Sequence, residues 1–235
     1  MKAILWDMDG TLIDTEPLWE RAGNRLAREL GAAPGTELSP GARQRTIGGS
    51  GPNTVRVVAD YIGVELDDGQ VAAAVDLLFE LFTDEMRAGS APMRPGTASL
   101  LREIRDAGHP SILVTNTVRS LAGEGIAVIG HDLFTATLCG DEVPAGKPAP
   151  DIYLRAAEIA GVAPDDCLAV EDSLTGTVAA VAAGCRVLAV PPGDHEEVAD
   201  GATRLAELTG RADLGGMTLA DLADLHARLG GGAAR

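Results

Sequence analysis

The sequence is most informative first in what it lacks. Aromatic residues make up only 3% of the chain, so its core must be assembled from Ala, Val, Leu and Ile. There are three cysteines, Cys139, Cys167 and Cys185, an odd number with no CxxC spacing, and two lie in apolar runs. That pattern excludes a disulfide framework and reads as reduced, buried thiols in a cytoplasmic protein. The four histidines avoid the other polar clusters of the chain, which argues against zinc. No run is long and apolar enough to span a membrane: Met1–Trp6 meets Asp7 and Asp9 too soon for a signal-peptide core, and Val178–Val190 is short and contains Arg186. There is no basic cluster, no internal repeat and no low-complexity tract.

Charge of one sign is in excess. The formal net charge is −16, from 19 basic and 35 acidic residues. Such a field repels nucleic acid and anionic membranes, and it would also repel a phosphate ester. Any phosphate site must therefore supply its own positive charge. The expected partner is a small molecule, with neither nucleic acid nor membrane, acting on a monomer or homodimer.

What is present is a set of short continuous apolar runs. Ala3–Trp6, Ser111–Val114, Leu168–Val170 and Arg186–Val190 read as strands buried on both faces, as in parallel sheets. Helical patterns lie between them, around Leu100–Arg105, Ile152–Ile159 and Leu174–Ala183, each followed by a glycine. This alternation predicts an α/β fold, a Rossmann-like doubly wound parallel sheet. Between about Thr15 and Ala88 the alternation stops. Leu18, Ala22, Leu26 and Leu30, and then Val71, Val75, Leu78, Phe79, Phe82 and Met86, follow helical spacing. The reading is a catalytic core of residues 1–14 and 89–235 with an inserted helical domain at 15–88, hinged near Asp14-Thr15 and Ala88-Gly89.

Three of the apolar runs end in polar clusters, and in such sheets ligands bind beyond the strands' carboxyl ends. Asp7 and Asp9, two apart, share a face if the strand geometry continues. A carboxylate can attack phosphorus, and a second carboxyl can protonate the leaving alkoxide and later deprotonate water. Taken alone, Asp-x-Asp-Gly is more often a structural turn or a generic metal ligand than a catalytic pair. Thr115 and Asn116 can hold phosphoryl oxygens through a hydroxyl and backbone N–H groups, or cap a helix. Lys147, between Gly146 and Pro148, is either a solvated charge or a cation fixed by its prolines. Glu171 and Asp172 follow a buried strand and are costly there unless a cation satisfies them; hard oxygen donors point to Mg²⁺.

Asp7-Met8-Asp9-Gly10-Thr11-Leu12-Ile13-Asp14-Thr15, Thr115-Asn116, Lys147-Pro148 and Val170-Glu171-Asp172-Ser173 together resemble the four ordered motifs of the haloacid dehalogenase-like superfamily. The resemblance spans almost the whole chain. It implies Asp7 as nucleophile, Asp9 as general acid/base, and Thr115 and Lys147 as phosphate binders, with Lys147 also orienting Asp7. It further implies Mg²⁺ held by the Asp7 carboxylate, the Asp9 carbonyl and Asp172, with Glu171 assisting directly or through water. An insert directly after the first motif is similar to the helical cap of β-phosphoglucomutases, phosphoglycolate phosphatases and 2-deoxyglucose-6-phosphate phosphatases. Within it, Arg45-Thr46-Ile47-Gly48-Gly49-Ser50 resembles a substrate-facing loop, which makes Arg45, Gly48 and Gly49 candidate substrate contacts.

The expected activity is hydrolysis of a small phosphorylated metabolite, a sugar phosphate or similar ester, through an aspartyl-phosphate. Asp9 argues against dehalogenation, and the absence of lysine between Thr15 and Ala88 argues against Schiff-base cleavage of phosphonates. A phospho-accepting signalling domain places its acceptor after a later strand and is much shorter. The closest alternative is a phosphosugar mutase. In β-phosphoglucomutases a histidine lies four residues beyond the first motif's last Thr; here that residue is Trp19.

Overall fold

The computed structural model describes residues 1–46, 51–88, 91–193 and 196–230. The chain divides into two compact units, Met1–Asp14 with Pro92–Arg235, and Thr15–Ala91.

The first unit is built on a six-stranded sheet. Its strands are β1 (Ala3–Trp6), β2 (Ser111–Val114), β3 (Ala136–Leu138), β4 (Cys167–Glu171), β5 (Arg186–Ala189) and β6 (Ala202–Arg204). They are ordered β3-β2-β1-β4-β5-β6 and every neighbouring pair is parallel. This is the doubly wound sheet expected from the apolar runs. β1, β2 and β4 are buried along their whole length, which explains their unbroken hydrophobicity. The two edge strands are three residues long and carry Thr137, Thr203 and Arg204, so no apolar run marks them.

Helices α7 (Asp151–Ala160) and α8 (Leu174–Ala182) cover one hydrophobic cluster of the sheet through Ile152, Tyr153, Ala156, Ala157, Ala179 and Ala180. Alanine at these contacts lets helix and strand approach closely, so a chain poor in aromatics still fills its core. Burying each Leu or Val in such a cluster contributes about 1.5–3 kcal/mol. The remaining helices of this unit are α5 (Thr97–Asp106), α6 (Arg119–Ile129), α9 (Leu205–Thr209) and α10 (Leu219–Gly230). Strand order reverses between β1 and β4, where Trp6 is level with Val170. Asp7 and Glu171 therefore emerge side by side at the point where doubly wound sheets bind ligands.

The second unit is helical: α1 (Glu16–Glu29), α2 (Pro40–Gln44), α3 (Gly51–Ile62) and α4 (Asp68–Arg87). α1 buries Leu18, Ala22 and Leu26, and α4 buries Val71, Leu78, Phe82 and Met86. Trp19 stacks on Phe82 with ring centroids 3.8 Å apart, and Phe79 meets it edge-on. Arg21 and Arg25 of α1 bind Glu85 of α4 at 2.7 and 2.9 Å. Asp67 and Gln70 form a reciprocal capping box that fixes the start of α4. All three cysteines are free and buried. Among the described residues no helix is long and apolar enough to cross a membrane.

Candidate active site

The turn after β1 is set by Gly10. Its φ of +84° lies in the left-handed region, and its N–H donates to the Ile13 carbonyl at 2.8 Å. A Cβ at Gly10 would run into the Asp172 carboxylate, so the glycine also makes room for that side chain. Gly176 on α8 does the same for Glu171.

Lys147 is the centre of the cluster, and apart from Lys2 it is the chain's only lysine. It is buried, and its Nζ donates to Asp7 Oδ1 at 2.6 Å, Glu171 Oε1 at 2.6 Å and the Val114 carbonyl at 3.1 Å. The ammonium also lies 5.4 Å from the centre of the Tyr153 ring. The Tyr153 hydroxyl donates to the same Glu171 oxygen at 2.5 Å. Ser173, which caps α8, donates to Glu171 Oε2 at 3.3 Å. Glu171 is fully buried, so these donors are what make its charge tolerable.

Asn116 clamps the other side of Lys147. Its Nδ2 donates to the Lys147 carbonyl at 3.0 Å, and its Oδ1 accepts from the Lys147 N–H at 2.7 Å. The side chain expected among the phosphate contacts thus ties the second motif to the third. Thr115 is buried, and its backbone N–H donates to the Leu138 carbonyl at 3.0 Å. Its hydroxyl, and that of Thr117, donate to Asp9 Oδ2 at 3.1 and 2.8 Å.

Burial, and then the charge of Glu171, push the Asp7 carboxyl up to about 7 against the pull of Lys147. Burial, Asp7 and Glu171 likewise hold the Asp172 carboxyl well above its ordinary value. Burial opposes the Lys147 charge, but Asp7 and Glu171 outweigh it and raise its pKa. The fit to a cation follows from these facts. Asp7, Glu171 and Asp172 each offer a carboxylate oxygen within 4.8 Å of the others. Asp7 Oδ2 is buried with no hydrogen-bond partner. An all-oxygen set with an orphaned carboxylate oxygen suits Mg²⁺.

The structure therefore brings together Asp7, Asp9, Thr115, Asn116, Lys147, Glu171 and Asp172. Arg45 belongs to the helical unit, where it pairs with Asp60 at 3.0 Å. Gly48 and Gly49 lie outside the described residues. Thr117 and Tyr153 were not anticipated. Thr117 stands two residues after Thr115, the same alternation that relates Asp7 to Asp9. The one signal for Tyr153 in the sequence is a hydroxyl-bearing aromatic, in a chain nearly free of them, six residues after Lys147.

The sequence profile described as haloacid dehalogenase-like hydrolase matches residues 1–184. The chain belongs to this family. Protein CbbY of Cereibacter sphaeroides is 35% identical over 231 residues, covering 94% of this chain and 97% of that protein. Hexitol phosphatase A of Escherichia coli (strain K12) is 30% identical over 194 residues, covering 80% and 82%. Among solved structures, a mutant of CbbY from Rhodobacter sphaeroides in complex with xylulose-(1,5)bisphosphate superposes with a TM-score of 0.78 at 30% identity, covering 94% of this chain and 99% of that one. As a haloacid dehalogenase-like hydrolase the chain is an enzyme, and its parallel sheet is the fold of that family.

Proposed function

We propose that this hydrolase is a Mg²⁺-dependent phosphatase acting on a small phosphorylated metabolite, a sugar phosphate or similar ester, through a covalent aspartyl-phosphate on Asp7. The observation that carries the reading is the state of Asp7: buried, one oxygen held by Lys147, the other without a partner beside Asp172. The named relatives, a hexitol phosphatase and a protein crystallised with a sugar bisphosphate, support the substrate class.

In the first half-reaction an Asp7 oxygen attacks phosphorus and the ester P–O bond breaks. Asp9 gives its proton to the departing alkoxide. In the second, Asp9 takes a proton from water, the resulting hydroxide attacks phosphorus, and the Asp7–phosphorus bond breaks to release inorganic phosphate. Lys147 fixes Asp7 and balances part of its charge, and the Thr115 hydroxyl holds a phosphoryl oxygen. Asp7, Asp172 and the Asp9 carbonyl would hold Mg²⁺, with Glu171 beside it. When bound, the ion would supply positive charge to offset that of the phosphoryl oxygens. The helical unit, with Arg45, Gly48 and Gly49, is read as the part that selects the substrate.

Hydrolysis is favoured over mutase chemistry by Trp19, whose indole N–H is a donor only and whose ring is engaged by Phe82. Phosphorylated sugars, polyols, glycolate and nucleotides should be screened with Mg²⁺ and after chelation. Phosphate release is expected with Mg²⁺ alone among these conditions, and Asp7→Asn should abolish it in a folded protein. Steady turnover by Asp7→Asn would overturn the covalent route. Glucose 6-phosphate forming faster than free phosphate from β-glucose 1-phosphate and a bisphosphate primer would make the enzyme a mutase.

A further inference from the structure

A hydroxyl has one proton to give, and in this structure the proton of Thr115 is already committed. Thr115 Oγ1 donates to Asp9 Oδ2 at 3.1 Å, and it accepts from the Thr117 N–H at 3.0 Å. As it stands, Thr115 cannot also donate to a phosphoryl oxygen. Thr117 Oγ1 donates to the same Asp9 oxygen at the shorter distance of 2.8 Å. Two hydroxyls therefore converge on one carboxylate oxygen, although either alone would satisfy it.

The segment carrying Thr117 is held firmly. The backbone N–H of Arg119, first residue of α6, donates to Asp141 Oδ1 at 2.8 Å. Its guanidinium binds Glu142 at 2.9 and 2.7 Å and reaches both the hydroxyl and the carbonyl of Thr137 on β3. Glu142 Oε2 in turn accepts from the Cys139 N–H at 2.9 Å. Thr117 is thus anchored to the sheet edge through Arg119. Thr115, the residue after β2, needs only a rotation of its side-chain hydroxyl to face elsewhere.

We infer that Thr117 is a positioning residue that keeps hold of Asp9 while Thr115 redirects its hydroxyl hydrogen bond from Asp9 to the incoming phosphoryl group. The exchange costs Asp9 Oδ2 one of its two hydroxyl donors. Without Thr117, phosphate could recruit Thr115 only by leaving Asp9 Oδ2 with neither hydroxyl. Thr117 would then govern phosphate affinity through Thr115, without touching phosphate itself.

This inference rests on the proposed phosphatase reading, and a double-mutant cycle separates the two. The probe is inorganic phosphate, measured as its inhibition constant against para-nitrophenyl phosphate hydrolysis in saturating Mg²⁺, and by calorimetry. Thr117→Val should weaken phosphate binding about tenfold, the scale of a hydrogen bond to a charged group. Thr117→Ser, which restores the hydroxyl, should bind within about threefold of the natural enzyme, a rescue that a purely steric role would not give. On a Thr115→Val background the same Thr117→Val change should alter phosphate affinity by less than about twofold, because the group it acts through is gone. Thermal unfolding identifies any variant that fails to fold, and Thr117→Ala then takes the place of Thr117→Val. An unchanged inhibition constant in Thr117→Val, or the same loss with Thr115 already removed, would overturn the inference. Failure of the natural enzyme to hydrolyse any phosphate ester would instead overturn the phosphatase reading.

Discussion

Removing a single oxygen, by Tyr153→Phe, tests how the buried charges are held. Phenylalanine keeps the ring that fills the α7–sheet contact and faces Lys147 at 5.4 Å. What it deletes is the hydroxyl that donates to Glu171 Oε1 at 2.5 Å. A hydrogen bond to a buried charged acceptor contributes about 1.5–3 kcal/mol. Glu171 would still have Lys147 at 2.6 Å and Ser173 at 3.3 Å, so the carboxylate is weakened rather than orphaned. That places the expected loss near the lower end, about 1.5–2 kcal/mol. For a chain of this size it corresponds to a fall in Tm of about 3–8 °C.

The same oxygen of Glu171 also positions the ammonium that holds Asp7, so a loosened Glu171 lets Lys147 drift from the proposed nucleophile. Turnover should fall by roughly threefold to tenfold with KM little changed, since an interaction that aligns the nucleophile acts mainly on kcat. Urea unfolding in chelator and steady-state kinetics in Mg²⁺ provide the two readouts. A stability change below about 0.5 kcal/mol would mean the short bond contributes nothing beyond an ordinary surface change. A clear loss of stability with unchanged kcat would refute the coupling from Tyr153 through Lys147 to Asp7.

Gly10→Ala should weaken binding of Mg²⁺, or of Mn²⁺ followed by electron paramagnetic resonance, by about tenfold or more, because the new methyl displaces Asp172 and strains a left-handed turn. Metal affinity equal to that of the natural chain would remove Asp172 from the site. Burial, then the positive N-terminus and Arg186, hold the His226 imidazole down to about 4. A base held down in the folded state binds fewer protons there than when unfolded, so its stability contribution is complete above about pH 6.5 and is lost as pH falls toward 4. Between about pH 7 and pH 5 the natural chain should lose about 2 kcal/mol more than His226→Gln in urea unfolding, and parallel pH profiles would contradict this. Inorganic phosphate should bind at least about tenfold tighter with Mg²⁺ than in chelator, and tighten Mg²⁺ by the same factor when the titrations are reversed; equal affinities would refute the metal's part in holding phosphate.

The strands at the centre of the sheet were legible because burial on both faces demands unbroken apolar runs, as in Ala3–Trp6 and Ser111–Val114. β3 and β6 were not, since an edge strand with Thr137, Thr203 or Arg204 needs no such run. α6 escaped notice as well: it opens on Arg119-Ser120 and contains Gly123 and Gly125, so local propensity argues against it and tertiary packing decides. At the site, residues at strand ends were visible as polar interruptions of apolar segments. Tyr153 was not, because its role depends on how α7 lies on the sheet, and it reads as one more core position of an amphipathic helix. Asn116 was visible but its partner was not. Nothing in a Thr-Asn dipeptide indicates that the amide closes on the backbone of a residue 31 positions away.

The charge pattern of the site explains why a cation and a phosphate should depend on each other. The chain is already strongly acidic, and four carboxylates, Asp7, Asp9, Glu171 and Asp172, converge beyond the adjacent ends of β1 and β4. Lys147 cannot serve a phosphate freely, because its ammonium lies between Asp7 and Glu171 at 2.6 Å from each. Arg119, the next cation along from Thr117, is matched by both oxygens of Glu142. A phosphomonoester dianion arriving against such a field meets a repulsion of about 4 kcal/mol for each charge pair at 4 Å and an effective dielectric of 20. Hydroxyls and backbone N–H groups orient a phosphate but do not cancel charge on that scale. The missing positive charge has to come with the ligand, and Asp7 Oδ2, buried and without a partner, marks where a divalent ion would find it wanting. On the proposed reading, buried carboxylates that are costly in the resting fold would make it inhospitable to phosphate without metal, and for metal and phosphate together the same carboxylates would become the reason to bind.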